Sequence, residues 1–149
     1  MIHYLAYWKP KNADYSDHSY GGLLLHAVSA YYEKVRKGDT VWIVTSKTGV
    51  FSLLGPIVVN EITGTREAER RLGMSDLYDA DFHIFPADGT AAKMKWIDVT
   101  TELPKLWFSG TKNNRLLPGW SAGNLQAMRK LTDGSGKMLQ RIYEGASVT

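Results

Sequence analysis

Aromatic rings set close to cations are the residues of this chain whose types and spacing could do chemistry. Five Trp and eight Tyr are a heavy load for 149 residues. A flat ring that does not fill a core can stack a heterocycle. Trp8, Trp107 and Trp120 fall near the predicted ends of elements, whereas Trp42 and Trp96 fall inside predicted strands and read as core. Basic side chains gather in three loops: Lys9 with Lys11, then Lys47, then Lys112 with Arg115. A basic rim around an aromatic pocket suits a flipped or single-stranded base, because cations hold phosphates while rings stack the base. Tyr20 joins the group, just ahead of a predicted helix whose free N–H groups would face an acceptor-rich ligand. Taken singly, each lysine is more often a solvated surface charge.

Signatures of catalysis are weaker. Residues 119–123 match G-x-S-x-G, a motif that requires a strand before the Ser and a downstream acid and His. Here Pro118 precedes it, and His3, His18, His26 and His83 all lie upstream. Gly134-Ser135-Gly136-Lys137 resembles part of a phosphate loop, but Leu131 stands where Gly is needed and Met138 replaces Ser or Thr. No two His are spaced for a shared metal and there is no Cys. The crowd of Asp76, Asp79, Asp81 and His83 reads as a solvated acidic turn. No metal, cofactor or catalytic constellation is expected, and the chain reads as a binder in preference to an enzyme.

These residues must be positioned by a single domain spanning residues 1–149. Its composition, 44% apolar and 22% charged, is that of an ordinary globular protein. The lack of Cys fits a reducing compartment, and neither a leader-like apolar region nor a membrane-length apolar run occurs. The expected location is therefore cytoplasmic, with no membrane partner. A net charge of +3 permits a polyanionic partner without demanding one.

Residues 37–62 organise the rest. Val41 to Thr45 and Val50 to Val59 are runs of strand formers joined by a turn at residues 46–49. Both runs are apolar on successive residues, so both faces should be covered. Gly55-Pro56 predicts a bulge or a barrel corner. Ile2 to Trp8 reads as a first strand, with Ile2, Tyr4, Ala6 and Trp8 on one face and His3, Leu5, Tyr7 and Lys9 on the other. Residues 11–20 read as a polar loop. The spacing of Leu24, Leu25, Val28, Tyr31, Tyr32 and Val35 predicts a helix over residues 21–37 ending at Gly38. Further expectations are a charged helix from Thr65, a strand over residues 82–85, a strand over residues 94–100, and a final helix capped by Thr132. The fold class that results is α+β, a small bent β-barrel of five to six strands with flanking helices.

The order strand, loop, helix, Lys37-Gly38-Asp39, strand, turn, bent strand at Gly55 resembles the PUA-like superfamily, in particular its EVE and YTH branches. The run Phe82-His83-Ile84-Phe85-Pro86, then Lys95-Trp96-Ile97-Asp98 and Glu102-Leu103-Pro104, is similar to the YTH pattern of an aromatic strand before a W-I…L-P strand. Leu125-Gln126-Ala127-Met128-Arg129-Lys130-Leu131-Thr132 resembles the ending of EVE-like modules that stand beside nucleases in modification-dependent restriction systems.

The resemblance implies a reader that holds a modified base in an aromatic cage beside the first helix. Tyr20 would stand where YTH proteins have their first cage Trp, Ser46 near the polar residue closing the central strand, and His83 to Phe85 would form the second wall. The chain departs from YTH in lacking Trp at both cage positions. It departs from EVE in having Tyr7-Trp8-Lys9-Pro10 where Lys-Ser-Glu-Pro is common, which brings Trp8 into the cage. Together the two readings give Tyr7, Trp8, Tyr20, Ser46, His83, Phe85, Trp107 and Trp120 as base contacts. They give Lys9, Lys11, Lys47, Lys112, Arg115 and Arg129 as phosphate contacts. The expected partner is DNA or RNA carrying a modified base, with a separate nuclease or modification-system protein supplying any cleavage. The competing classes are a nucleotide- or small-molecule-binding enzyme of the same fold and a protein-interaction module.

Overall fold

A parallel pair of strands lies at the centre of the architecture. β1 (His3–Trp8) runs alongside β3 (Thr40–Lys47), with Leu5 opposite Trp42 and Trp8 opposite Thr45. β3 turns back into β4 (Val50–Val58) through Thr48 and Gly49, both at positive φ, as a two-residue hairpin turn requires. β7 (Ile97–Asp98) adds to β4 and β8 (Arg129–Leu131) adds to β1, giving the order β7-β4-β3-β1-β8. A second sheet has the order β2-β6-β5, from β2 (Ala27–Val28), β5 (Glu61–Thr63) and β6 (His83–Phe85). Among the described residues three α-helices complete the fold: α1 (Pro10–Ser19), α2 (Thr65–Leu72) and α3 (Asp133–Glu144). This computed structural model describes residues 1–73, 82–110, 114–125 and 128–147. Within them the domain is α+β, and the pairings leave two open sheets without closing a barrel.

Side chains alternate across the central sheet, and both of its faces are buried. Tyr4, Ala6, Val41, Ile43, Leu54 and Ile57 point into one apolar cluster, covered by Ala13 of α1 and Ala27 and Ile84 of the second sheet. Leu5, Trp42, Val44, Phe51 and Leu53 point into the other, covered by Leu139 of α3 and by Leu103, Leu106 and Leu125. The expected two faces of β1 follow the same division: Trp8 packs with the first cluster and Tyr7 with the second. The bulge expected at Gly55-Pro56 is present. Val44 pairs with Leu53 and Ile43 with Gly55, so Leu54 is the extra residue. Gly55 is required there, because its φ is +149° and a Cβ would sit 2.8 Å from Tyr143 Cε1.

Two expectations about residues 10–37 are reversed. The polar stretch read as a loop is α1, started by Pro10 in the first helical turn, where a missing N–H costs nothing. Only Ala13 of α1 is buried, so no apolar period announced it. The run read as a helix over residues 21–37 is mostly extended. Gly21 and Gly22 turn the chain at positive φ, Leu24 N donates to Ala92 O at 2.8 Å, and β2 pairs with β6. A 3-10 turn (Ala30–Lys34) is its only helical part. The strand expected over residues 94–100 shortens to Ile97–Asp98, because Trp96 takes φ +51°. Thr132 caps α3 as expected, its side chain accepting from Ser135 N. No helix among the described residues is long and apolar enough to cross a membrane.

Candidate functional site

The carboxyl ends of β1 and β3 form the richest cluster of site residues. Ligands of open sheets with parallel strands lie at this end. Tyr7 and Ser46 finish their strands on one face, their hydroxyls 2.6 Å apart. Trp8 finishes β1 on the other face, where its carbonyl accepts from Thr45 Oγ1 at 2.7 Å and its side chain bonds Tyr32. Lys9 is the exposed N-cap of α1 and Lys11 is exposed within it.

One face of α1 then organises the next residues. Asp14 and Asp17 are three apart, hence neighbours on the helix surface. Asp14 Oδ1 pairs with Lys47 Nζ at 2.5 Å, and Asp17 Oδ2 accepts from Trp96 Nε1 at 3.2 Å. Lys47 Nζ also lies 4.9 Å from the centre of the Trp96 ring. Tyr20 is the C-cap of α1 and is followed by the Gly21-Gly22 turn, so the helix N-terminus expected just after it is not there; it is half-buried, with its phenol pKa pushed up by burial and then by Tyr15. In order along α1, whose ten residues span about 15 Å, Trp8 thus precedes the N-terminus, Lys47 and Trp96 meet the middle through Asp14 and Asp17, and Tyr20 ends the row at the C-terminus.

Trp96 is the residue that sequence reasoning missed, having placed it in a strand core. It is a bulky side chain at positive φ, a strained backbone that persists only when its surroundings hold it. Its partners are long-range: Asp17 is 79 positions away in the chain. No local pattern announces such a contact.

The remaining expected residues lie in two other places. His83 and Phe85 are buried in the second sheet and form no wall at the row. His83 Nδ1 meets His26 Nε2 at 2.7 Å, His83 Nε2 meets Thr65 Oγ1 at 2.9 Å, and Arg71 lies over the Phe85 ring. Burial pushes the His26 pKa down to about 4, and His83 adds to the shift. Both rings thus serve packing.

Trp107, Arg115, Trp120 and Arg129 gather on the opposite face of the central sheet. Arg115 Cζ lies 4.5 Å from the Trp107 ring centre and Arg129 Cζ lies 4.0 Å from that of Phe108. Trp120 packs on Phe51, their centroids 4.6 Å apart. A cavity of about 190 Å³ is lined by Arg115, Trp120, Asn124 and Arg129 together with residues 116–119. A second, of about 510 Å³, is lined by Tyr4, Tyr31, Glu33, Lys34, Met128 and Lys130. Lys112 and the acidic residues Asp76, Asp79 and Asp81 lie outside the described residues.

The enzyme-like motifs have structural explanations. Ser121 follows no strand, and its N–H donates to Asn124 Oδ1 at 2.8 Å at the start of a 3-10 turn (Ala122–Asn124). Ser135 is buried in α3, its Oγ accepting from Trp107 N at 2.7 Å. Among the described residues no group of three His, Cys, Asp or Glu could hold a metal ion. Comparison with protein-family models, with curated proteins and with solved structures finds no match to this chain.

Proposed function

We propose that this chain is a non-catalytic reader of PUA-like, EVE- or YTH-type architecture that binds a modified or flipped-out base of a nucleic acid. The architectural reading is supported by Lys37-Gly38-Asp39 leading into β3 and by the bulged β4 that follows, and not by residues 10–37, where the expected loop and helix are exchanged. The single observation that carries the functional reading is Trp96, held at φ +51° against α1 with a cation above its ring.

The base stacks on Trp96, with Trp8 and Tyr20 at the two ends of the row. It displaces the Lys47 ammonium from the ring. The cost is small, because the Lys47 and Asp14 side chains are 49% and 55% exposed and such ion pairs contribute about 0–1 kcal/mol. The released ammonium, with Lys9 and Lys11, meets the phosphates. Asp14 and Asp17 favour a base whose edge donates hydrogen bonds. Any cleavage of the bound strand falls to a separate nuclease.

The test is a titration of short oligonucleotides, each with one methylated adenine or cytosine, against their unmodified counterparts. A reader of this kind prefers one modified member and loses affinity steeply with salt. Equal affinity for all members refutes the reading.

A further inference from the structure

We propose that the cleft between Arg115, Trp120 and Arg129 is a second nucleotide site, which makes the ligand a single strand. This inference rests on the reading of the chain as a nucleic-acid binder. Three observations carry it.

The first is shape. The cavity of about 190 Å³ is larger than the roughly 150 Å³ that admits one benzene ring, and the aromatic Trp120 is among the residues that line it. The second is charge. Two guanidiniums line the cavity, and no acidic side chain among the described residues does. Each guanidinium is oriented by an aromatic ring, Arg115 by Trp107 and Arg129 by Phe108. Arg115 also donates to Pro104 O at 3.1 Å and Arg129 to Asn124 O at 3.4 Å. A planar fork already held in place loses little freedom on binding a phosphate.

The third is position. Trp120 packs on Phe51, Phe51 pairs with Ser46, and Ser46 meets the Tyr7 hydroxyl. Tyr7, Phe51 and Trp120 pack with the cluster on one face of the sheet, while Trp8 and Trp96 pack with the cluster on the other face. A strand with one base against Trp96 can pass the β3–β4 turn and place another nucleotide in the cleft. A duplex would have to flip two nucleotides out of its stack toward opposite faces of one sheet, whereas a single strand presents both without unpairing.

The experiment measures oligonucleotide affinity against salt for the wild type, Arg115→Gln, Arg129→Gln and Arg129→Lys. Arg66→Gln serves as a control that removes one exposed charge from α2. For a single strand, each lost phosphate contact lowers the slope of log affinity against log salt by about 0.7. The slope is expected to fall in both Gln variants, to hold in Arg129→Lys, and to hold in the Arg66 control. An equal fall in the control overturns the site in favour of general charge. Wild-type slopes in both Gln variants overturn it while leaving the base-reading row intact. If the wild-type chain binds no oligonucleotide, the row and the cleft fall together.

Discussion

Lys47 holds its ammonium 4.9 Å from the centre of the Trp96 ring while the same nitrogen pairs with Asp14. The contact joins the end of β3, one face of α1 and a strained residue of the segment before β7. A lysine in that position covers an apolar ring without sealing it, since the ion pair is exposed and exchanges readily.

The strain at Trp96 has a direct consequence for stability. Trp96→Gly and Trp96→Ala remove the same ring, but only Gly accepts φ +51° without a Cβ penalty. The Gly variant should be the more stable by about 1 kcal/mol. Denaturant midpoints of the two proteins check this, and an Ala variant as stable as the Gly variant would mean that the backbone relaxes.

The two glycines at the start of α3 should respond in opposite directions. A Cβ on Gly136 would lie 2.3 Å from the His3 ring, whereas nothing lies within 4 Å of a Cβ on Gly134. Gly134→Ala should stabilise by up to about 1 kcal/mol through helix propensity. Gly136→Ala should destabilise by about 1–3 kcal/mol, because overpacking outweighs propensity. Thermal melts of both variants decide the matter.

Asp39 carries a structural role within the Lys-Gly-Asp signature. Its carboxylate accepts from Ile2 N at 3.0 Å and from Arg36 N at 2.9 Å, tying the start of β1 to the turn before β3. Asp39→Ala leaves two part-buried donors unpaired and should cost about 1–3 kcal/mol. Asp39→Asn keeps one acceptor and should cost less.

Acid should weaken the second sheet. The His26 pKa lies near 4 in the folded protein against an ordinary 6.5, because burial disfavours the charged form. The folded state therefore binds fewer protons than the unfolded chain between those values. Stability from this source is complete above about pH 6.5 and drains away as the pH falls through 4, by a total on the order of 3 kcal/mol. Urea unfolding at neutral pH and at about pH 4.5 should show a smaller acid loss in His26→Gln than in the wild type.

Much of the frame was legible in the sequence, because β1, the β3–β4 hairpin with its bulge, β6 and α3 declare themselves by local pattern. The exchange of loop and helix over residues 10–37 was not legible. Leu24, Leu25, Val28, Tyr31, Tyr32 and Val35 have helical spacing, but Gly21 and Gly22 and the pairing of β2 with β6 pull the run into extended form. α1 hides its identity because polar contacts made by Asp14 and Asp17 hold it, with little apolar burial. The aromatic and basic residues were legible as types, but their division between the α1 row, the buried His26–His83 pair and the Arg115–Arg129 cleft depends on tertiary contacts. A single sequence does not encode those as spacing.

The most direct test compares oligonucleotide affinity in the wild type and in Trp96→Gly, using the modified base that the wild type prefers. Loss of one stacking ring should cost about 1–3 kcal/mol, roughly a 5- to 150-fold fall in affinity, with the fold retained. Unchanged affinity in a folded Trp96→Gly protein would contradict the account.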